Sequence, residues 1–590
     1  MRNLCCSILL LVIGGLAVVQ AEPPLTIAHR GGAIFAPENT IPAFLANIEQ
    51  SDLIELDVYN TLDGELVVIH DTTLDRTTDG TGRVQDKTLA ELKALDAGSW
   101  YAPEFAGTRI PTLEEALAAI GTDSIPLIEH KQGSAGLYVQ TLQRLNRTTD
   151  VVVQSFNWSF LRSMHDYAPE IPLAALGSGE LTEAKVLEIQ AIGIPRVAWA
   201  HGDVQPEMVD FIHAQGMELF VWTVNGGTIE KFIDYAVDGI ITDDPRLVAN
   251  LTDTRPSTRT ELAQDLVSYW AMDDGLNDAS SRVALDCEGR NPGSVQGYLG
   301  NPKWAGGISA MSGGALYFDG VEQFVEIPAS ESLDLDSNSV TISMWVRLAE
   351  LPSQIAGSFA GLYDSVPDCY VLYLDRGSKE IRFKVTNRDG RATRPGIPES
   401  ALQLGTWHHV VGVANGNAGP VSGQALIYLD GRLMDAHSGA DGQNYRFLND
   451  LIQTGQTAAM GRNGDQATNW FKGAVDDIAI WRRALRAAEV RQIFEAGRTG
   501  VSLMQQVMDL RLLGLETITS AGGAESLQLQ FRVEHGLVQP AELRLEAADS
   551  GEGTFQPEAN AVIESAGDGL YLVSREGLKT QEFLRLKAGD

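Results

Sequence analysis

Between residue 25 and about residue 252, short apolar runs alternate with longer stretches whose apolar residues recur every three or four positions. Candidate strands occupy 25–29, 53–58, 66–70, 126–131, 151–155, 172–176, 196–200, 218–224 and 239–242. Helical patterns at 112–120, 137–145, 206–215 and 229–237 fall between most of them. Strands alternating with amphipathic helices predict a parallel sheet with right-handed crossovers. Nine candidate strands are one more than a closed eight-stranded barrel holds. Asp63-Gly64, between the second and third, is a tight-turn signal. The run 66–70 is therefore expected to be a hairpin return, which leaves eight strands for an α/β TIM barrel over residues 22–254. Residues 72–110 lack the strand–helix rhythm and read as a small cap insertion.

The texture changes after a polar, proline-bearing stretch at 255–264, expected to be a linker. From 265 to 500 the runs are short and alternating, broken by Gly, Asn and Asp turns, with one helical pattern near 487–496. That texture predicts an all-β jelly-roll sandwich. Residues 501–590 carry further strand patterns and read as a small C-terminal β unit.

A chain of 590 residues is too long for one core, and 44% apolar with 21% charged residues is ordinary for folded domains. The formal charge of −34 changes the picture more. It disfavours nucleic acid and anionic membrane surfaces as partners, since both are repelled at long range. Residues 1–21 read as a signal peptide: Arg2, an apolar run from Leu9 to Val18, then Val19-Gln20-Ala21 as a small-residue cleavage site. A secreted or periplasmic location follows from that reading, with no integral membrane span in the mature chain. Cys5 and Cys6 leave with the signal. Cys287 and Cys369 remain, and in an oxidising compartment a disulfide between them is open.

Active sites of such barrels lie at the carboxyl ends of the strands. The first strand ends in His29-Arg30-Gly31-Gly32, and the hairpin ends in His70-Asp71. The second strand carries Glu55 and Asp57, two apart and so on one face. The next barrel strand carries Glu129 and Lys131, with His130 pointing the other way. Three carboxylates converging on one end of a barrel repel one another unless protonated or bound to a cation. Oxygen-only ligands favour a hard ion, calcium or magnesium. Two histidines beside them suit general acid and base roles.

These residues stand in an ordered set of motifs: His29-Arg30-Gly31, Ala36-Pro37-Glu38-Asn39-Thr40, Ile54-Glu55-Leu56-Asp57-Val58 and Val68-Ile69-His70-Asp71. Glu129-His130-Lys131, Val221-Trp222-Thr223-Val224-Asn225 and Ile241-Thr242-Asp243 complete it. The set closely resembles the glycerophosphodiester phosphodiesterase family. The resemblance implies Glu55, Asp57 and Glu129 as metal ligands and His29 and His70 as the acid–base pair. It implies Arg30 and Lys131 as phosphate contacts and Trp222 as a pocket aromatic. The family usually has Leu where His130 stands, and a packing role is expected there. Which histidine is acid, which ion is held, and whether the nucleophile is water or the glycerol 2-hydroxyl stay open.

Later motifs, Gly405-Thr406-Trp407-His408-His409-Val410 and Gly473-Ala474-Val475-Asp476-Asp477-Ile478, resemble laminin-G-like, concanavalin A-like jelly rolls. Such modules bind sugars, proteins or only their own neighbours, so a polysaccharide or protein ligand is open. Trp270, Trp345, Trp407 and Trp481 are expected in its core. Asp273, Asp274 and Asp278 leave a structural calcium open, with a solvated acidic loop expected. Two rival functions have different signatures. A glycoside hydrolase needs two carboxylates but neither the histidine pair nor the cations. A degenerate barrel acting as scaffold for a binding module would have lost part of the constellation, yet every position holds a competent residue.

Overall fold

The computed structural model describes residues 23–274, 280–307, 314–333, 339–365, 369–386, 392–416, 423–438, 457–462 and 470–503, with residue 506 and the backbone of seven strands after residue 509. The expected signal peptide and Asp278 lie outside the described residues. Among the described residues no helix is long and apolar enough to cross a membrane.

The first part of the chain is a closed parallel barrel. Its strands are β1 (Leu25–Ala28), β2 (Leu53–Asn60), β3 (Leu66–Val68), β4 (Ile125–His130), β5 (Val152–Ser155), β6 (Leu173–Gly177), β7 (Arg196–Ala200), β8 (Glu218–Trp222) and β9 (Gly239–Thr242). They run in the order β1-β9-β8-β7-β6-β5-β4-β2, and β1 pairs in parallel with β2 to close the ring. β3 is antiparallel to β2 and lies outside the ring, so the hairpin reading of Asp63-Gly64 is correct and eight strands form the barrel. Helices not read from the sequence, Ile41–Asn47, Trp158–Tyr167, Glu183–Ala191 and Pro245–Thr252, complete the outer layer.

Two apolar layers hold the barrel. Inside, Ile27, Leu53, Leu127, Val152, Ala174, Leu176, Ala198, Phe220 and Ile241 form one cluster. Outside, the opposite faces of the strands pack on the helices. Parallel strands buried on both faces read as near-continuous apolar runs, as these do. The cap between β3 and β4 has its own small core of Val67, Ile69, Leu74, Val84, Leu92, Ala97 and Ile110, resting on Tyr59. Asp96 organises its irregular backbone by accepting from the amides of Gly98, Ser99 and Gly107 at 2.7–2.8 Å.

Beyond the barrel, two antiparallel sheets face each other as a jelly-roll sandwich, with Trp270, Leu316, Phe318, Ile342, Tyr363, Leu372, Phe383 and Ile480 among the residues between them. Trp270, Trp345 and Trp481 are buried, as expected, while Trp407 is half-buried under the Arg347 guanidinium. Asp273 accepts from the Gly314 amide and Asp274 from that of Leu285, so both are engaged by backbone. Cys287 and Cys369 do not pair with each other: Cys287 packs on the cluster shared with the barrel, Cys369 lies between the two sheets. The expected linker is also different from a free tether. It contains the helix Arg259–Ala263, and Ser257 donates to Glu489 at 3.1 Å. After residue 509 the backbone forms a four-stranded and a three-stranded sheet.

Candidate active site

The parallel register of β2 and β4 sets Asp57 beside Glu129 and Glu55 beside Leu127. Side chains alternate along a strand, so Leu53, Glu55 and Asp57 stack on one face, from the apolar interior toward the strand ends. Leu127, Glu129 and Lys131 do the same on the neighbouring strand. One oxygen from each of Glu55, Asp57 and Glu129 lies within 4.8 Å of the others, and all three residues are buried.

Two cations answer this charge. Lys131 Nζ is 2.5 Å from Glu129 Oε1 and 3.0 Å from Asp57 Oδ1. The Arg30 amide donates to Glu55 Oε2 at 2.7 Å, and Arg30 Nε lies 3.7 Å from Asp57 Oδ2. That approach needs an unusual backbone: Arg30, Gly31 and Gly32 all have positive φ, at 53°, 84° and 87°. A Cβ on Gly31 would come within 2.7 Å of the Phe44 ring. The His29-Arg30-Gly31-Gly32 motif is thus a left-handed turn that carries β1 directly back over β2.

Two cations do not balance three buried carboxylates. Burial, then the charge of Asp57, pushes Glu55 up to about 8 and Glu129 up to about 7. Burial would raise Asp57 as well, but Lys131, His70 and Arg30 hold it down at about 2. Three carboxylates converging with only oxygen donors fit a hard divalent cation, which would favour their ionised forms together.

His29 and His70 both line the same cleft of about 230 Å³, with Arg30, Glu55, Glu129 and Lys131 on its polar side and Phe156, Leu176, Trp222 and Ile241 on its apolar side. Trp222 and Phe156 meet edge to face, ring centres 5.6 Å apart, and Phe156 is half exposed. Each histidine is held through Nδ1 by a carboxylate: His29 by Asp243 at 2.6 Å, His70 by Asp71 at 2.7 Å. Nε2 is then the ring nitrogen available for proton transfer on both.

The two carboxylates are not equivalent. Asp243 also accepts from a neutral donor, Asn225 Nδ2 at 2.6 Å, while its backbone amide donates to Asn225 Oδ1 at 3.0 Å. Asp71 is shared with a cation, Arg76, through bonds of 2.7 and 2.9 Å. Burial would lower His29, but the Asp243 bond and the charge of Glu55 outweigh it and raise the imidazole above its ordinary value. Burial lowers His70, and Lys131 and Arg30 add to that against the pull of Asp57. The environments push the two histidines in opposite directions.

Every barrel residue singled out from sequence, His29, Arg30, Glu55, Asp57, His70, Glu129, Lys131 and Trp222, is brought to this one cleft or its lining. His130 points away and stacks on Phe160 at 3.5 Å, the packing role expected for it. Sequence reasoning gave no role to Asp71, Asp243, Asn39, Glu38 or Arg76. Asn39 grips Asp57 twice, Nδ2 to Oδ2 at 2.8 Å and Oδ1 from the Asp57 amide at 3.0 Å. Glu38 bridges Arg30 and Arg76. All but Arg76 stand inside the quoted motifs, which was the available signal.

Residues 29–247 match the model of the glycerophosphoryl diester phosphodiesterase family. A glycerophosphodiester phosphodiesterase of Caldanaerobacter subterraneus subsp. tengcongensis is 42% identical over 239 residues, 38% of this chain and 97% of that protein. The chain belongs to the glycerophosphodiester phosphodiesterase family. A Bacillus subtilis glycerophosphodiester phosphodiesterase is 34% identical over 248 residues, 38% of this chain and 84% of its own length. The crystal structure of a family member from Agrobacterium tumefaciens is 29% identical and covers 38% of this chain and 99% of that one, with a TM-score of 0.36. Residues 315–491 match the concanavalin A-like lectin/glucanases superfamily. Each of the two curated relatives matches 38% of this chain, and the family model matches residues 29–247, which include the barrel.

Proposed function

We propose that this chain is an exported, divalent-metal-dependent phosphodiesterase that hydrolyses glycerophosphodiesters to sn-glycerol 3-phosphate and an alcohol. The observation that carries the reading is two histidines, each fixed at Nδ1 by a carboxylate, lining one cleft with a three-carboxylate cluster. Glu55, Asp57 and Glu129 hold the ion, calcium or magnesium. When bound, it supplies Lewis-acid charge for the phosphodiester oxygens. Arg30 and Lys131 contact the phosphate and provide the local positive field that the acidic chain otherwise lacks.

His70, held below its ordinary value, is neutral with a lone pair on Nε2 and accepts the proton of the attacking hydroxyl. His29, held above its ordinary value by Asp243, keeps a proton on Nε2 and donates it to the departing alkoxide. The attacking O–H is water or the substrate's own glycerol 2-hydroxyl; the same pair serves either. Trp222 and Phe156 pack on the carbon skeleton and keep water from that side. Export rests on the residue pattern of 1–21 and predicts a mature protein beginning at Glu22.

The test is release of sn-glycerol 3-phosphate from glycerophosphocholine by His29→Ala and His70→Ala. Each lowers turnover by roughly a hundredfold or more. Near-normal hydrolysis in both variants would remove the proton-transfer assignment.

A further inference from the structure

The sandwich is not a tethered module. The outer face of one of its sheets, with Val411, Val413, Leu426, Tyr428 and Trp481, belongs to the same apolar cluster as the barrel's helical layer. Polar clips surround this contact. Arg432 reaches Glu230 at 3.0 Å and Asp234 at 2.5 Å, on the helix Thr228–Asp234 that precedes β9. Arg486 reaches Asp253 at 2.5 Å, just after the helix Pro245–Thr252 that follows β9. Both helices flanking one barrel strand are thus held by the added domain.

Between those clips lies the turn that leaves β9. Asp243 holds His29, which lines the cleft. The next residue, Asp244, is 2% exposed and caps the following helix by accepting from the Leu247 amide at 3.2 Å. Its other oxygen accepts a hydrogen bond from Gln424 Nε2. Gln424, itself 8% exposed, opens the strand Gln424–Leu429 of the sandwich. A buried carboxylate that loses a donor must find another or move, and Asp244 shares a peptide unit with Asp243.

We propose that Gln424 is a positioning residue for catalysis: by holding Asp244 it fixes the Asp243 carboxylate against His29, so the sandwich completes the barrel's active site. This rests on the reading of His29 as a proton-transfer group. Gln424 touches neither substrate nor reacting atoms. It acts through geometry, to which proton transfer is sensitive, since a displacement of about 1 Å can cost on the order of a hundredfold.

The test uses the full chain and four variants, assayed on glycerophosphocholine well below the unfolding temperature. Gln424→Met keeps the volume and removes the donor; it lowers kcat about tenfold with KM within about twofold. Arg432→Ala breaks clips of the same interface away from Asp244; it lowers Tm and leaves kcat within about twofold. Should Gln424→Met not fold, Gln424→Asn, which withdraws the amide by one methylene, is read in the same way. His29→Ala separates the two claims. If it is inactive while the Gln424 variant turns over like the parent, the positioning role is wrong and the His29 reading stands. If His29→Ala is active, both fall. Equal kcat losses in the Gln424 and Arg432 variants would reduce the effect to general stability and overturn the proposal.

Discussion

Replacing Asp243 by Asn probes the site at one atom. Oδ1 accepts from His29 Nδ1 at 2.6 Å and Oδ2 from Asn225 Nδ2 at 2.6 Å. Asn has a single side-chain oxygen, so one of these donors must face an NH2 group. The charge that favours the imidazolium is lost in either orientation. A hydrogen bond to a charged group is worth about 1.5–3 kcal/mol. If most of that is lost from the His29 imidazolium, its pKa falls and, at roughly 1.4 kcal/mol per factor of ten, its protonation weakens roughly ten- to a hundredfold. The sign follows: an acid with a lowered pKa is deprotonated earlier as pH rises, so the alkaline limb of the rate profile moves down. At pH about 8, kcat/KM falls roughly ten- to a hundredfold, with a smaller loss near pH 6. The assay is sn-glycerol 3-phosphate release from glycerophosphocholine across pH at saturating divalent ion. An alkaline limb that stays in place, with kcat/KM at the higher pH within about twofold of the parent, would refute the acid role of His29 and its support by Asp243.

Two further outcomes follow from the same geometry. An aryl phosphodiester with a p-nitrophenol leaving group needs no proton at departure, so His29→Ala regains on it most of the activity it loses on glycerophosphocholine, while His70→Ala does not; equal losses on both substrates would reverse or remove the assignment. Arg76→Ala releases Asp71 from its cation, so the full negative charge of Asp71 acts on His70, raises its pKa and moves the acid limb of the profile to higher pH; an unmoved acid limb would show that Asp71 is not what tunes His70.

Much of the barrel was legible because its signals are local. A strand's alternation puts Glu55 and Asp57 on one face before any partner is known. A turn dipeptide at Asp63-Gly64 is enough to remove β3 from the ring. Length does not separate the helices that were missed from those that were read, since both sets run seven to ten residues. The orienting groups were missed because their roles depend on tertiary contacts. The Asp243 carboxylate lies 214 positions from His29, and nothing in either motif says which nitrogen it will hold. Asp71 is adjacent to His70 in sequence, yet its weakened pull depends on Arg76. The bond from Gln424 to Asp244 spans 180 positions and two fold types, and it left no local mark. Cys287 and Cys369 invited pairing by number alone, and the two cores that separate them are a tertiary fact.

The proposed dependence of one reaction on one divalent ion rests on Glu55, Asp57 and Glu129. It is tested most directly by sn-glycerol 3-phosphate release from glycerophosphocholine by the purified chain, before chelation, after exhaustive chelation, and after stepwise return of calcium or magnesium. Turnover is expected to fall to background on chelation and to return with the ion, and Asp57→Asn to raise the ion concentration needed. Full activity that survives complete chelation would contradict it.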